Sequence, residues 1–173
     1  TVVATPQGAE GCRKRRRMMK TVAIGRVESF VFRAPVTDPV KTSFGIMAER
    51  PATLVRIEDT DGAVGWGEIW CNFPGCGAEH RARLIDTVMA PLLLGRRFPG
   101  PEAASRAMEA GTRIVTVQTG EQGPFAQVIA GIDIAFWDLA ARRAELPLCA
   151  ALGRAASAVP TYASGIHPDG AAE

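Results

Sequence analysis

The chain has 173 residues, 47% hydrophobic and 22% charged, with a net charge of +2. That length and composition suit a globular protein with one core, or one domain and part of another. No apolar run approaches the roughly 20 residues a bilayer span needs, and the basic N-terminus has no apolar stretch behind it, which excludes a secretory signal. The charge is uneven: residues 1–20 hold Arg13, Lys14, Arg15, Arg16, Arg17 and Lys20 against Glu10, a net of +5, so the rest of the chain carries −3. A basic balance that belongs to a leader gives the body no reason to bind nucleic acid. We expect residues 1–18 to be a disordered basic leader outside the fold, because Met18 and Met19 directly precede the first strand-like segment. The cysteines, Cys12, Cys71, Cys76 and Cys149, lack the tight pairs and nearby His of a zinc site and read as reduced thiols of a cytoplasmic protein.

In chain order, Thr21–Arg33 (TVAIGRVESFVFR) reads as a strand rich in Val, Ile and Phe. Ala34–Glu49 reads as a long irregular loop with Pro35, Asp38, Pro39, Ser43 and Gly45, and with apolar Phe44, Ile46 and Met47 near its end. Such loops are usually functional, and apolar groups at the tip predict a lid. Ala52–Glu58 and Ala63–Ile69 flank Asp59-Thr60-Asp61-Gly62, an Asp-Gly turn signal, and predict a hairpin. Gly65 and Gly67 on either side of Trp66 point to another backbone in close approach, or to a bulge. Trp70–Gly77 (WCNFPGCG) is a second loop, whose Trp70 and Phe73 either cover the core edge or touch a substrate.

Three helices follow. Ala78–Leu94 carries Leu84, Ile85, Val88 and Met89 on one face, and Pro91 is expected to end or break it. Pro101–Val117 opens with Pro and Glu, as helix starts favour, while Gly111 and Ile114–Val117 weaken its second half. Gly123–Glu145 is the organising element. Phe125, Val128, Ile129, Ile132, Phe136 and Leu139 recur at helical spacing, and Ala130, Ile134, Trp137 and Ala141 form a second row. A helix apolar over so much of its circumference is expected between two layers. Its polar sector includes Asp138 and Arg142, spaced as a surface pair. Asp133 interrupts the apolar arc and admits two readings: a structural carboxylate bound to a loop or an arginine, or a catalytic one. His80, near a helix start, reads as surface. Val159–Ala163 (VPTYA) is a new strand with no partner in the first sheet. The order predicts an α+β fold: a three-stranded antiparallel sheet, then a three-helix bundle, over residues 19–153, and the start of a truncated second domain over 154–173.

The Phe44-Gly45 loop, the GAVGWGE hairpin strand, GIDIAFWDLA at Gly131–Ala140, Leu146-Pro147, Leu152-Gly153 and VPTYASG occur in that order. Together they resemble the enolase superfamily in its mandelate racemase/muconate-lactonizing branch, over about residues 19–173. The GIDIAFWDLA stretch with its downstream Leu-Pro and Leu-Gly is the strongest part. The resemblance implies an enolase-like N-terminal cap followed by the first strand of an incomplete (β/α) barrel. It implies a Mg-dependent enzyme that abstracts a proton α to a carboxylate, of acid-sugar dehydratase or racemase/cycloisomerase type. The metal would stabilise the developing oxyanion. It further implies a homo-oligomer acting on a small carboxylate or acid sugar, with no nucleic-acid or membrane partner.

The family's metal carboxylates and bases lie on later barrel strands, and no Lys follows Lys41 here. Neither catalytic nor metal-binding residues are therefore carried over; Mg would belong to the missing barrel, and the chain alone is expected to be inactive. What carries over are two loops, Lys41–Met47 and Trp70–Ala78, that close over the barrel mouth. On them Ser43, Phe44, Gly45, Trp70, Asn72 and Phe73 are the implied substrate-binding residues. His167, on the loop after the first barrel strand, is either a substrate or proton-transfer contact or an exposed loop His. The competing reading is a non-catalytic interaction module that uses the wide apolar arc and strand 159–163 as an assembly surface.

Overall fold

Alternating burial along two neighbouring strands sets the sheet. In the computed structural model, which describes residues 21–43, 45–153, 160 and 162, strands β1 (Val22–Thr42), β2 (Gly45–Asp59), β3 (Val64–Ile69) and β4 (Arg97–Phe98) pair in the order β3–β2–β1–β4. Every ladder is antiparallel. Thr53, Val55, Ile57 and Asp59 of β2 are buried, as are Gly65, Gly67 and Ile69 of β3, while the residues between them are more open. A period of two with one buried face is what a sheet covered on one side requires. The outer face carries Phe30 and Trp66, with ring centres 5.6 Å apart, and Arg56, which bridges Glu28 and Glu58.

The sheet has four strands rather than the expected three. Gly95, at φ +73°, turns the chain back after the first helical run. Arg97 and Phe98 then lie antiparallel to Ala23 and Val22. A two-residue strand between helices is too short to carry a periodic signal.

The expected loop 34–49 is corrected too: it continues the first hairpin. β1 and β2 stay paired through Arg33↔Pro51 and Pro35↔Glu49, lose register between Pro35 and Val40, and pair again from Val40↔Met47 to Thr42↔Gly45. Pro35 and Pro39 sit at the register break, where a missing N–H is tolerated. β3 pairs with β2 only from Thr53 to Glu58, so this stretch is a two-stranded arm beyond the main sheet.

The helices cover the buried face. α1 (Gly77–Leu84), a π-helical turn at Ile85–Met89 and α2 (Ala90–Leu93) form one run. Pro91 does not end the run, but the regular helix breaks just before it, one of the two outcomes the sequence reading allowed. The Ala90 N–H donates to Ile85 O, five residues back, and the widened turn relieves the clash between the proline ring and the preceding turn. α3 (Pro101–Thr119) runs on through Gly111 to a left-handed cap at Gly120. At Gly111 it crosses closely over Leu92: a Cβ there would lie 3.1 Å from Leu92 Cδ1. α4 (Gln122–Arg143) and the short α5 (Leu148–Ala151) complete the described elements, so the helical part has more pieces than a three-helix bundle.

α4 is the central strut, as its periodicity predicts. Phe125, Val128, Ile132, Phe136 and Leu139 are buried, and Phe98 meets the Phe136 ring edge-on at 5.6 Å. The second apolar row is covered only in part among the described residues: Trp137 is half-buried and Ile134 is 47% exposed. By length and composition α4 is apolar enough to cross a membrane, although no such run was expected from the sequence; half of that apolar window is buried inside the protein.

Helix and sheet touch backbone to backbone. A Cβ on Gly67 would fall on Gly131 O and lie 3.0 Å from Ala135 N; one on Gly65 would fall on Ala135 O and lie 2.6 Å from Leu139 N. Gly131 answers from the helix, where a Cβ would run into Ile69 and lie 2.9 Å from Glu68 O. Asp138 does more than pair with Arg142: its Oδ2 accepts the Arg142 Nε–H and the Trp66 backbone N–H, both at 2.9 Å. At the far end of α4, Arg143 donates to the carboxylates of Asp59 and Asp61 on the β2–β3 turn. The leader 1–18, Phe44 and His167 lie outside the described residues, and so does the expected barrel strand apart from Pro160 and Tyr162.

Candidate functional site

The arm and the segment after β3 meet in one cleft. Its volume is about 210 Å³, and its walls include Arg33, Ile46, Met47 and Glu49 from the arm and Asn72 and Phe73 from the following segment. Met47 is buried and Ile46 is exposed. The arm tip stands over Phe73: a Cβ built on Gly45 would lie 3.8 Å from Phe73 Cε1. Gly45 has φ +139°, a conformation that favours glycine.

Arg33 joins the two walls. Its Nε and Nη2 donate to Glu79 Oε1 and Oε2 at 2.8 and 2.6 Å, a bidentate pair with the first turn of α1. Nη2 also donates to Gly75 O at 2.7 Å, and Nη1 donates to Glu49 on the arm. A planar guanidinium is the one side chain whose donors can serve such spread acceptors at once. The hydrogen bond to Glu79 raises the Arg33 pKa; partial desolvation opposes it and the charge of Glu49 adds to it. The same hydrogen bond holds the Glu79 carboxyl below the usual carboxylate range. The pair's contribution is thus complete at neutral pH and is lost as pH falls through the lowered value of Glu79.

Of the residues expected on these loops, Asn72 and Phe73 line the cleft and Gly45 adjoins it. Ser43 is exposed in the turn of the arm. Trp70, 51% exposed, follows β3 and is not among the cleft walls. Arg33, Glu49 and Glu79 were missed. Arg33 lies opposite Pro51, which makes Glu49 its diagonal neighbour two residues along; that relation is visible only once the arm is paired.

His80 is not a bare surface residue. It is partly buried, with Nε2 2.9 Å from Glu121 Oε1 and Nδ1 3.2 Å from Arg81 Nη1. Arginine can only donate and a carboxylate only accept, so the contacts fit a neutral imidazole protonated at Nε2. Arg81, buried at 4% exposure, also gives Nε and Nη2 to Gln127 Oε1 at 3.0 and 2.7 Å. This network ties the start of α1 to the start of α4.

Asp133 lines a separate hollow of about 440 Å³ between α3 and α4, together with Glu109, Arg113 and Phe125. It is half-buried, and among the described residues neither an arginine nor a loop N–H bonds to it. Burial first, then repulsion from Glu102 and Glu109, pushes its carboxyl above the ordinary range. A raised folded-state pKa means the native state holds this proton more tightly than the unfolded chain, so the ionised group opposes folding at neutral pH. Asp133→Asn should therefore raise the melting temperature at pH 7, and the gain should shrink as pH falls through the raised folded-state value and be gone below about 4, where the unfolded carboxyl is also protonated. Melting curves at both pH values check the sign.

Among the described residues no three His, Cys, Asp or Glu side chains converge on a point. These described residues therefore supply no such ligand set for a magnesium ion.

The family model for the mandelate racemase / muconate lactonizing enzyme N-terminal domain matches residues 26–153. The 3,6-anhydro-alpha-L-galactonate cycloisomerase of Streptomyces coelicolor is 33% identical over 144 residues, which is 83% of this chain and 38% of that protein. A mandelate racemase/muconate lactonizing enzyme from Bordetella bronchiseptica RB50 superposes with a TM-score of 0.69 at 56% identity, over 77% of this chain and 34% of that one. An enolase from Bradyrhizobium, solved with magnesium and mandelic acid, gives a TM-score of 0.65 at 26% identity, over 79% of this chain and 36% of that one. The chain thus spans little more than a third of the length of these relatives. With that match over residues 26–153 and this sheet-and-helix arrangement behind it, the chain belongs to the mandelate racemase/muconate lactonizing enzyme family of the enolase superfamily, through its N-terminal domain.

Proposed function

We propose that this domain is the cap of a Mg-dependent enzyme that abstracts a proton α to a carboxylate, and that its arm and 70–76 segment select the substrate. The observation that supports the reading is the single cleft in which Met47 and Phe73 offer apolar walls and Asn72 an amide that both donates and accepts. The relatives agree in kind: one is a cycloisomerase of an acid sugar, and another was solved with mandelic acid, a small carboxylate. A cap closing over such a substrate excludes water and strengthens the electrostatics beneath it. Ser43, Gly45, Asn72 and Phe73 are our candidate contacts, with Phe44 and His167 beyond the described residues; Trp70 we assign to covering the sheet edge. We assign metal and proton transfer to a barrel domain and expect the enzyme to work as a homo-oligomer.

The test is a graft. Residues 42–47 and 70–76, in the full-length polypeptide that carries this domain, are replaced by those of the Streptomyces cycloisomerase. We expect the ratio of kcat/KM between acid-sugar and α-hydroxy-acid substrates to change by about ten-fold or more, the scale on which pocket contacts discriminate. The 173-residue chain with Mg²⁺ should show no turnover. Unchanged substrate preference in the graft, or turnover by the chain alone, would end the reading.

A further inference from the structure

We infer that Arg33 is a latch that makes the arm and the segment from Asn72 to Glu79 open and close as one body; its part in substrate selection rests on the cap reading above. Acceptors from two segments distant in sequence converge on this side chain: Glu49 on the arm, and the Gly75 carbonyl with both carboxylate oxygens of Glu79 on the other wall. The Arg33 side chain is 27% exposed, enough for the ion pairs to break and reform in solvent. Apart from Arg33, buried Met47 and the approach of Gly45 to Phe73 hold the arm near its tip. Beyond Thr53 it has no third strand, its register is interrupted between Pro35 and Val40, and Ala34, Pro35, Asp38, Pro39 and Val40 are exposed. Two-stranded ribbons are marginal in water without a surface to lie on. Segments with few buried contacts open locally at low free energy. The arm's docking is thus set by what pins it to its neighbour, and Arg33 reaches both sides of the cleft with one planar group. Lysine has a single ammonium on a flexible stem and cannot serve acceptors on both walls in fixed directions.

Hydrogen exchange on the 173-residue chain tests this, read by mass spectrometry over peptides covering 34–49, 70–76 and, as a control, 53–58. Arg33→Ala should speed exchange in the first two by about ten-fold and leave the control unchanged, the signature of a local opening. Glu79→Gln should speed exchange in the arm, because it cuts the side-chain link from Arg33 on the arm to α1. The double variant should open the arm no further than Arg33→Ala alone, since both cut one connection. Arg33→Lys should restore less than half of the protection. A response confined to one wall, or additive effects of Arg33→Ala and Glu79→Gln, would overturn the latch. If Arg33→Ala fails to fold, the exposed Glu79→Gln variant carries the same test. The exchange experiment needs no substrate: coupled walls with an unchanged graft would sink the cap reading alone, and uncoupled walls with an altered graft would sink the latch alone.

Discussion

Gly67→Ala should lower the domain's melting temperature by about 10 °C or more, equivalent to roughly 3 kcal/mol at this size. The added methyl would fall on Gly131 O and within 3.0 Å of Ala135 N, both backbone atoms of α4. A flexible side chain can swing away from such a contact; a helix backbone moves only as a whole. Pushing α4 off β3 would loosen Phe136 and Ile132, both fully buried, and pull Asp138 from the Trp66 N–H. Gly65→Ala should behave alike, whereas Gly75→Ala and Gly123→Ala, where an added Cβ meets nothing within 4 Å, should change stability by less than about 1 kcal/mol. Thermal melts of the four variants separate the claim from a general glycine effect. A Gly67→Ala protein that melts with the wild type would mean α4 does not lie on β3 as described.

Arg143→Met should cost about 3 kcal/mol, because it strands a buried charge. The Asp59 side chain has no solvent exposure, and its two oxygens take the Asp61 and Ala63 N–H groups at 2.9 Å and the Arg143 guanidinium. Methionine would fill much of the arginine's volume but leave the carboxylate with backbone donors alone. Asp59→Asn added to Arg143→Met should recover part of the loss, since the amide keeps an oxygen for the turn and carries no charge. Urea unfolding with unchanged m-values is the measurement. A loss below about 1 kcal/mol in the single variant would show the pair to be mere surface decoration.

Both sites show where the sequence could be read and where it could not. Gly65 and Gly67 announced a close backbone approach because glycine in a strand has few other uses. The period of α4 announced most of its buried stripe: Phe125, Val128, Ile132, Phe136 and Leu139 are buried, while Ile129 of the same row is only partly so. Neither signal named its partner. Nothing local joins Arg143 to Asp59, or Arg33 to Glu79, since each pair is created by the fold closing over dozens of residues. The arm was misread for a different reason. Its prolines and glycine are loop residues by composition, yet the backbone pairs on both sides of them, and a tertiary ladder overrides local preference. Half of the cleft was therefore legible, through Asn72 and Phe73, while the charged side chains that frame it were not. At Pro91 a break was legible but its form was not, because a π turn is invisible to a pattern that assumes 3.6 residues per turn.

The ribbon beyond Thr53 has one more consequence, for evolution. Cross-strand pairs between Val40↔Met47 and Thr42↔Gly45 touch neither the third strand nor the helical layer's central glycines. Removing one pair would shorten the reach by about 3.4 Å and turn every later side chain to the opposite side, while removing two would shorten it further and restore the original facing. Related proteins can thus retune the span of this finger in paired steps, without repacking the interior that gives the domain its stability.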